Sequence, residues 1–578
     1  MLLPRRRANS DEPITFARLL ADVDRLALAL LQRGIRRGDR VGILAENRYE
    51  WLLIDQALAS IGAPSVPRGS DTSLPEMAFI LEHSGCRFVL TEDDATAREV
   101  LAMRERLPGL EGVAVMADST AIDGALALGE LLQEGEAALA DGANELQAAR
   151  DAVVPEDLLT IVYTSGTTAN PKGVMLTHDN VLANVRDTTE ALHITGDDVF
   201  LSVLPAWHMY ERIMDYLALA AGGQLVYTDR RNIKTDLASV KPTVFAAVPR
   251  IWEMLHDGVV NQSRKLEGLG GKLLRRALDT SRLVGGRRAG LGDKLTHAVL
   301  RRIVLSKVLA AFGGRLRLCV SGGGALPRHV DETLLGMGLP LLNGYGLTET
   351  SPVAAVRRAE NNDPGHIGPP LPNTRIEPRR GDGSACAVGE TGVLWIAGPQ
   401  IMRGYYNNPE RTAEVLQAGW FCSGDLGHVD AAGHVWITGR AKDTIVLAGG
   451  ENVEPEPLET LLKTSPLIEQ AVVLGQDQKS LGALLVPNLE LLEHEVPRTA
   501  WDEQGGALRS EAVRKALRAE LDRVMTREQG CRACERIAAF RVVGEPMTPE
   551  NELLTRTLKV KRHVVAERYR DLIDELFA

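Results

Sequence analysis

From Ile14 to Val100 the chain alternates amphipathic stretches of helical length with short apolar runs, and this punctuation constrains its fold more than any other property. FARLLADVDRLALALLQRG, from Phe16 to Gly34, reads as a helix, while RVGILA (Arg40 to Ala45) and RFVLTE (Arg87 to Glu92) read as strands. The pattern resumes in DVFLSVLP (Asp198 to Pro205), GQLVYT (Gly223 to Thr228) and TVFAAVP (Thr243 to Pro249). Strands without a polar face are covered on both sides, so they belong to parallel sheets flanked by helices. Such an α/β architecture collects ligands at the carboxyl ends of its strands. With 578 residues, 44% of them apolar, the chain can bury several cores and is expected to form roughly three or four lobes.

One such strand end is chemically distinctive. The strand-like LLTIVY (Leu158 to Tyr163) runs into YTSGTTANPKG, from Tyr163 to Gly173, which is expected to form a single loop before the apolar Val174-Met175-Leu176. Glycine lets backbone N–H groups approach phosphate oxygens, Ser165, Thr167 and Thr168 can donate hydrogen bonds or take a magnesium ion, and Lys172 supplies charge. This is not a Walker A loop, because Lys172 lies between Pro171 and Gly173 instead of before a serine or threonine.

Further segments carry matching chemistry. In NGYGLTETSPV (Asn343 to Val353) the glycines admit close backbone approach, Tyr345 can stack on a base and Glu349 suits Mg²⁺; a strand–turn–helix with a capping threonine is the plainer reading. In WFCSGDLGHVDAAGHVWITGRAKD (Trp420 to Asp443), Asp425 between Gly424 and Gly427 can accept from two neighbouring ribose hydroxyls, or it is simply a turn aspartate. SGGGALP (Ser321 to Pro327) follows the strand-like RLRLCV and can lie against a flat ring or an acyl tail, with an ordinary turn as the competitor. LPAWHMYER (Leu204 to Arg212) surrounds His208 with aromatic and apolar neighbours, the usual setting of a packing histidine. NELLTRTLKVKRHVVAERY places Lys559, with Lys561 as the alternative, near the C-terminus, where a basic helix end would look the same.

Taken in order, from about Ile14 to Tyr569, these motifs resemble the adenylate-forming superfamily of acyl-CoA synthetases, luciferases and peptide-synthetase adenylation domains. Ala169 stands where that family usually has glycine, and Arg556 where it usually has proline. The resemblance implies an α/β fold with a large N-terminal domain (1–438) of stacked sheets, including a β-rich subdomain at about 364–438. A hinge at 439–442 and a small mobile α+β domain (443–578) follow. It implies that ATP is held by Thr164, Ser165, Gly166, Thr167, Thr168 and Lys172, and by Gly322, Gly323, Gly324 and Ala325 beside the adenine and the acyl entrance. Asn343, Gly344, Tyr345, Gly346 and Thr348 would add nucleotide contacts, Asp425 and Arg440 would take the ribose end, and Thr167 and Glu349 would hold Mg²⁺. The implied catalytic set is Lys559, Thr167, Glu349 and His208, with Lys442 as pivot and Gly449, near Leu447 to Gly450, lining a coenzyme A pantetheine tunnel.

A carboxylate resists nucleophiles until it is activated, and the implied reaction does this by forming an acyl-AMP from ATP and then passing the acyl group to coenzyme A. Tyr210-Glu211-Arg212, VPRGSD (Val66 to Asp71) and KPTVFAAVPRIWE (Lys241 to Glu253) look most like the branch that acts on long-chain fatty acids, so a long- or medium-chain acid is the expected substrate. The alternatives are transfer to an acyl carrier protein, or a catalytically inactive fatty-acid-binding relative. Relatives of this kind usually have a longer N-terminus than the residues before Ile14, so an element upstream is expected.

Composition narrows the partners. The 66 basic and 77 acidic residues leave a net charge of −11, which disfavours nucleic acid, and six cysteines in so long a chain point to reduced thiols, Cys531 and Cys534 included. MLLPRRRANSDEP lacks the apolar core of a secretory signal and no run is long enough to span a bilayer, so the expectation is a cytoplasmic protein for which any membrane contact is peripheral. The region from Arg264 to Arg317, rich in Arg and Lys with leucines at helical spacing, reads either as a solvated pair of amphipathic helices or as a surface for anionic lipid or an acidic carrier.

Overall fold

In the computed structural model, which describes residues 2–3, 13–164, 171–449, 451–504, 506–526, 529, 531–555 and 560–577, the strands Val41–Leu44, Val199–Ser202 and Leu318–Ser321 are buried at every position. Helices cover both faces of the sheets to which they belong, which is why their sequences carry no polar alternation. The first sheet has eight strands in the order Gly404–Tyr405, Lys172–Thr177, Leu158–Thr164, Ser65–Arg68, Val41–Leu44, Phe88–Thr91, Gly112–Val115 and Leu126–Ala127. The second has seven: Leu2–Leu3, Gln224–Tyr227, Val199–Ser202, Val244–Ala247, Leu318–Ser321, Leu341–Gly346 and Val353–Val356. Both are parallel except where Lys172–Thr177, Gly404–Tyr405 and Val353–Val356 run antiparallel to their neighbours.

One core joins the two sheets. Ile43, Val174 and Leu176 of the first and Phe200, Ala246 and Val320 of the second are buried in the same cluster as Met209, Ile213 and Leu217 of the helix Met209–Ala221. The same helix carries Arg212, whose side chain is fully buried and ion-paired with an equally buried Asp55. Its Nε donates to Tyr216 Oη (2.9 Å), one terminal nitrogen to Thr160 Oγ1 (2.8 Å) and the other to Ser65 Oγ (3.0 Å) as well as to Asp55. Asp55, Ser65 and Thr160 belong to the first sheet and its helix Tyr49–Ser60, so the guanidinium bolts the second layer to the first. Every partner is needed, because a buried charge without compensation is strongly destabilising.

A five-stranded antiparallel unit follows, built from Arg375–Arg379, Gly392–Ala397, Trp420–Val429, Leu416–Gln417 and Val435–Arg440. Gly439 and Arg440, the first two residues of the expected hinge, are still in its last strand, where Arg440 pairs with Asp425. The chain leaves by a turn in which the Asp443 and Thr444 N–H groups donate to Arg440 O (3.0 and 3.1 Å). The small domain has a three-stranded sheet, Ile468–Leu474, Leu481–Pro487 and Ile537–Val542, and its own cores around Leu485 and Leu517 and around Leu484 and Val565. Arg250 of the large domain donates to Glu469 of the small one (3.2 Å). No described helix is long and apolar enough to cross a membrane.

The basic region departs from the reading as a solvated helix pair. It contains the helices Gly268–Gly285, Leu291–Leu300 and Ser306–Ala311, with a π-helical turn at Arg301–Leu305. Gly268–Gly285 is pressed against Arg328–Met337: a Cβ at Gly285 would lie 1.9 Å from the Glu332 carbonyl oxygen, and one at Gly336 1.8 Å from that of Ser281. These glycines act as contact points between helices, although in sequence they look like breaks.

Arg212→Met should lower the stability of the large domain by about 3–5 kcal/mol by leaving Asp55 buried and unpaired, whereas Arg212→Met with Asp55→Leu should recover much of the loss. Urea unfolding followed by tryptophan fluorescence checks this, and a single variant as stable as the parent would contradict the bolting role.

Candidate active site

The segment Asn343–Thr350 is the centre of the site. Its strand, Leu341–Gly346, lies parallel to Leu318–Ser321 with its carboxyl end at the sheet edge, turns through a 3₁₀ helix at Thr348–Thr350 and returns antiparallel as Val353–Val356. The return is tight: a Cβ at Gly346 would sit 1.7 Å from the Pro352 carbonyl oxygen, so no larger residue fits. The fully buried Arg357 fixes the segment from behind, its N–H donating to Asn343 O (3.0 Å) and its guanidinium gripping both Asp331 oxygens (3.2 and 2.5 Å).

Two polar clusters meet on this segment. In the first, Tyr345 Oη donates to Asp425 Oδ2 (2.7 Å) while Arg440 Nε lies 3.1 Å from Asp425 Oδ1. The antiparallel pairing of Trp420–Val429 with Val435–Arg440 sets Asp425 opposite Arg440, and Ser423 Oγ accepts from the Asp425 N–H (3.0 Å). Burial, followed by the adjacent Asp425 charge, raises the Tyr345 phenol well above its ordinary pKa and keeps it a donor.

The second cluster involves a residue that sequence reasoning missed. Tyr405 Oη donates to Glu349 Oε1 (2.8 Å), and its ring lies 5.3 Å from the Lys172 ammonium in a cation–π contact. The strand Gly404–Tyr405 pairs with Lys172–Thr177, and the Tyr406 N–H donates to Gly173 O (2.8 Å) and the Met402 N–H to Glu349 O (2.9 Å). Backbone bonds therefore lock Lys172, Tyr405 and Glu349 together. Burial, then the nearby Arg411 charge, lowers the Lys172 pKa, with Glu349 opposing. The available signal was the repeated tyrosine before Asn-Asn-Pro-Glu, where Asn408 caps the helix Pro409–Val415.

The remaining expectations divide. Tyr163 to Gly173 is not a single loop: Tyr163 and Thr164 end one strand, Lys172 and Gly173 begin the next, and Thr164 stands opposite Lys172 in register. Pairing with an antiparallel neighbour carries both strands further into this segment than its Ser/Thr/Gly composition suggests. Ser165, Gly166, Thr167, Thr168 and Lys559 lie outside the described residues, as does Gly450. Thr348 is buried at the start of the 3₁₀ turn. Gly322, Gly323, Gly324 and Ala325 follow the strand Leu318–Ser321 as a link to the helix Arg328–Met337, and a Cβ at Gly322 would come within 3.1 Å of the Tyr210 ring, whose hydroxyl donates to Val320 O (3.1 Å). His208 is the N-cap of Met209–Ala221, its Nδ1 accepting from the Tyr210 N–H at 3.3 Å. Leu447 and Gly449 follow a two-residue strand, Ile445–Val446, so the segment expected to line the tunnel is turn-like at Ala448 and Gly449; Gly449 lies against Glu451.

The site suits a nucleotide by its unmet needs. Ser321 Oγ and Asn343 Oδ1, in register on adjacent strands, are buried with no hydrogen-bond partner among the described residues. Such atoms fit the polar edge of a base. Glu349, beside Lys172, offers a carboxylate for a hard cation that would take its other oxygens from phosphate and water. Among the described residues no group of three His, Cys, Asp or Glu side chains could hold a metal ion by itself. Together the parts can neutralise a polyphosphate and hold a sugar.

Comparison with known proteins agrees with this chemistry. The sequence matches the AMP-binding enzyme family over residues 3–406 and the AMP-binding enzyme C-terminal domain over residues 442–578. It is 33% identical over 572 residues to the long-chain-fatty-acid–CoA ligase FadD15 of Mycobacterium tuberculosis, covering 98% of this chain and 92% of that protein. It is 30% identical over 621 residues to a chloroplastic long-chain-fatty-acid–acyl-carrier-protein ligase of Arabidopsis thaliana, covering 98% and 83%. ATP-bound MatB from Rhodopseudomonas palustris has the same fold, with a TM-score of 0.70 at 23% identity over 97% of this chain and 94% of that one. The o-succinylbenzoate-CoA synthetase MenE of Bacillus subtilis, bound to its acyl-adenylate, gives a TM-score of 0.69 at 23% identity over 98% and 94%.

Removing the hydroxyl that holds Glu349 tests the second cluster. Tyr405→Phe keeps the ring under Lys172 but forfeits a hydrogen bond to a charged group, worth about 1.5–3 kcal/mol, so half-saturation of ATP binding should need roughly tenfold more Mg²⁺. Calorimetric titration of ATP at several Mg²⁺ concentrations reads this, and an unchanged requirement would dismiss Tyr405 as a positioning residue.

Proposed function

Because this chain belongs to the AMP-binding enzyme family, we propose that it ligates a long- or medium-chain fatty acid to coenzyme A through an acyl-adenylate. The observation that carries the reading is the convergence of Lys172, Glu349 and Asp425 on one short segment, Asn343–Thr350, through Tyr405 and Tyr345. It speaks against an inactive relative, since nothing in lipid binding alone calls for a buried carboxylate, a second carboxylate and a lysine gathered by tyrosine hydroxyls and rings.

In the first step a carboxylate oxygen of the acid attacks the α-phosphorus of ATP and pyrophosphate leaves. Lys172 and the hydroxyls around Thr164 would neutralise the phosphates, Asp425 would accept from the ribose, and His208 would stand beside the carboxylate. Mg²⁺, held by Glu349 and Thr167, would draw charge from the phosphate oxygens. Lys559 would bridge the carboxylate and the α-phosphate oxygen. In the second step the coenzyme A sulfur attacks the acyl carbonyl carbon and AMP leaves, its mixed-anhydride bond replaced by a thioester. Lys442, in the turn after Arg440, would let the small domain rotate between the two steps, withdrawing Lys559 and bringing the turn around Leu447 and Gly449 to the pantetheine arm.

Transfer to an acyl carrier protein uses the same adenylate, and the Arabidopsis relative named for that acceptor supports it as the second reading. A fatty acid that partitions into lipid would also be most accessible to a protein resting on a bilayer. Release of pyrophosphate that depends on a fatty acid, followed by thioester formation with coenzyme A or with carrier protein, separates these readings. Absence of acid-dependent release would refute them all.

Lys559→Ala should lower acyl-AMP formation by about 10²-fold or more, as expected for losing a charge aimed at the transition state, while still converting supplied acyl-AMP and coenzyme A to thioester. Equal loss of both half-reactions, measured separately, would remove Lys559 from this role. Lys442→Pro, by fixing φ at the proposed pivot, should impair thioester formation more than adenylation, and unimpaired thioester turnover would exclude a hinge there.

A further inference from the structure

The Arg264–Arg317 region holds fourteen Lys and Arg against three Asp and Glu, a surplus of eleven positive charges in a chain whose total is −11. None of the residues assigned above to nucleotide or substrate lies within it. Its helix Leu291–Leu300, with the π-turn Arg301–Leu305 that continues it, has two distinct faces. One is anchored: His297, Leu300 and Leu305 are buried, with the His297 ring 3.5 Å from the Thr280 hydroxyl.

The other face carries Leu291, Leu295, Val299 and Ile303, which are 83, 71, 57 and 58% exposed. Their spacing of four, at about 100° per residue, keeps all four within an arc of about 120°. They form one continuous apolar stripe, and nowhere else among the described residues do four exposed large hydrophobic side chains share a helix. Lys294, Arg301 and Arg302 are exposed beside it. The single acid on this element, Asp293, is engaged by Arg276 at 3.2 Å.

We infer that this face docks on an anionic lipid bilayer, the stripe entering the acyl boundary while the basic side chains meet the headgroups. Both halves of the pattern are needed to choose that partner. An acidic carrier protein would satisfy the arginines but leave four aliphatic side chains in water, and a second copy of the same face would bring like charges together. A bilayer with anionic headgroups accommodates both, and an in-plane helix with an apolar face and cationic flanks is the form such docking takes. Its value to the protein rests on the proposed fatty-acid activation, since the substrate would already be dissolved in the surface to which the enzyme binds.

The test uses the full chain, without ATP or coenzyme A, sedimented with phosphatidylcholine vesicles with and without phosphatidylglycerol. Binding should be about tenfold or more tighter to the anionic vesicles and should weaken as salt shortens the Debye length below about 8 Å. Leu295→Gln with Val299→Gln and Ile303→Gln should lower binding about tenfold or more, because the lost contacts are apolar. These positions are exposed, so the melting temperature and turnover of a short soluble acid should match the parent. Lys294→Gln with Arg301→Gln and Arg302→Gln should remove the preference for anionic vesicles. Equal binding by the apolar triple variant, or capture of acyl carrier protein with no capture of vesicles, would overturn the inference. Vesicle binding by a protein that makes no acyl thioester would refute the proposed function and leave the surface standing; thioester formation without vesicle binding would do the reverse.

Discussion

The guanidinium of Arg212 is the fixed point between the two large sheets. It is fully buried, and its donors go to Asp55, Ser65 and Thr160 on one layer and to Tyr216 on its own helix. Packing alone tolerates sliding, since apolar contacts are not directional. A planar group with several directed bonds does not slide. The helix Met209–Ala221 is therefore set in rotation as well as position, and its first turn carries His208 and Tyr210. Glu211, next to Arg212, accepts from the Leu204 N–H (2.7 Å) and so ties down the loop that leads into that turn. The geometry beside the glycines at 322 to 324 thus depends on a buried charge that does not itself touch them, two residues along the helix from Tyr210.

A comparable economy appears at the Asn343–Thr350 segment. Tyr345 and Glu349, four residues apart, reach Asp425 and Tyr405 from strands that lie much later in the chain. The β-rich unit and the short strand Gly404–Tyr405 are thereby coupled to the second large sheet through side chains, while backbone pairing makes Gly404–Tyr405 part of the first. A shift of the β-rich unit would be felt at Asp425, and a shift of the first sheet at Glu349.

Much of this was readable in advance. The buried strands announced themselves as unbroken apolar runs, whereas Lys172, Glu349 and Asp425 each had a plain structural reading in isolation and were singled out only by the order in which their motifs follow one another. Tyr405 was not, because its importance comes from a strand pairing across more than two hundred residues of sequence, as estimated from its partner Val174. Arg212 and Asp55 escaped for a different reason: charged residues read as surface until their partners are known. Gly285 of the basic region and Gly336 of the facing helix look like interruptions in sequence, yet they let the two helices touch, and that contact turns one half of an expected solvated surface into core. Composition could not separate the two halves, because leucines occur on both.

Asp425 already has both carboxylate oxygens engaged, one by Tyr345 and one by Arg440. A ribose bound there as proposed would exchange partners instead of meeting a bare anion, so the net gain from that exchange would be modest. On that proposal the reverse would hold when AMP departs: the two protein donors would close over the carboxylate again and no buried charge would be stranded. For an enzyme that discards one nucleotide in every cycle, a sugar contact with such a built-in substitute would keep recognition from turning into product inhibition.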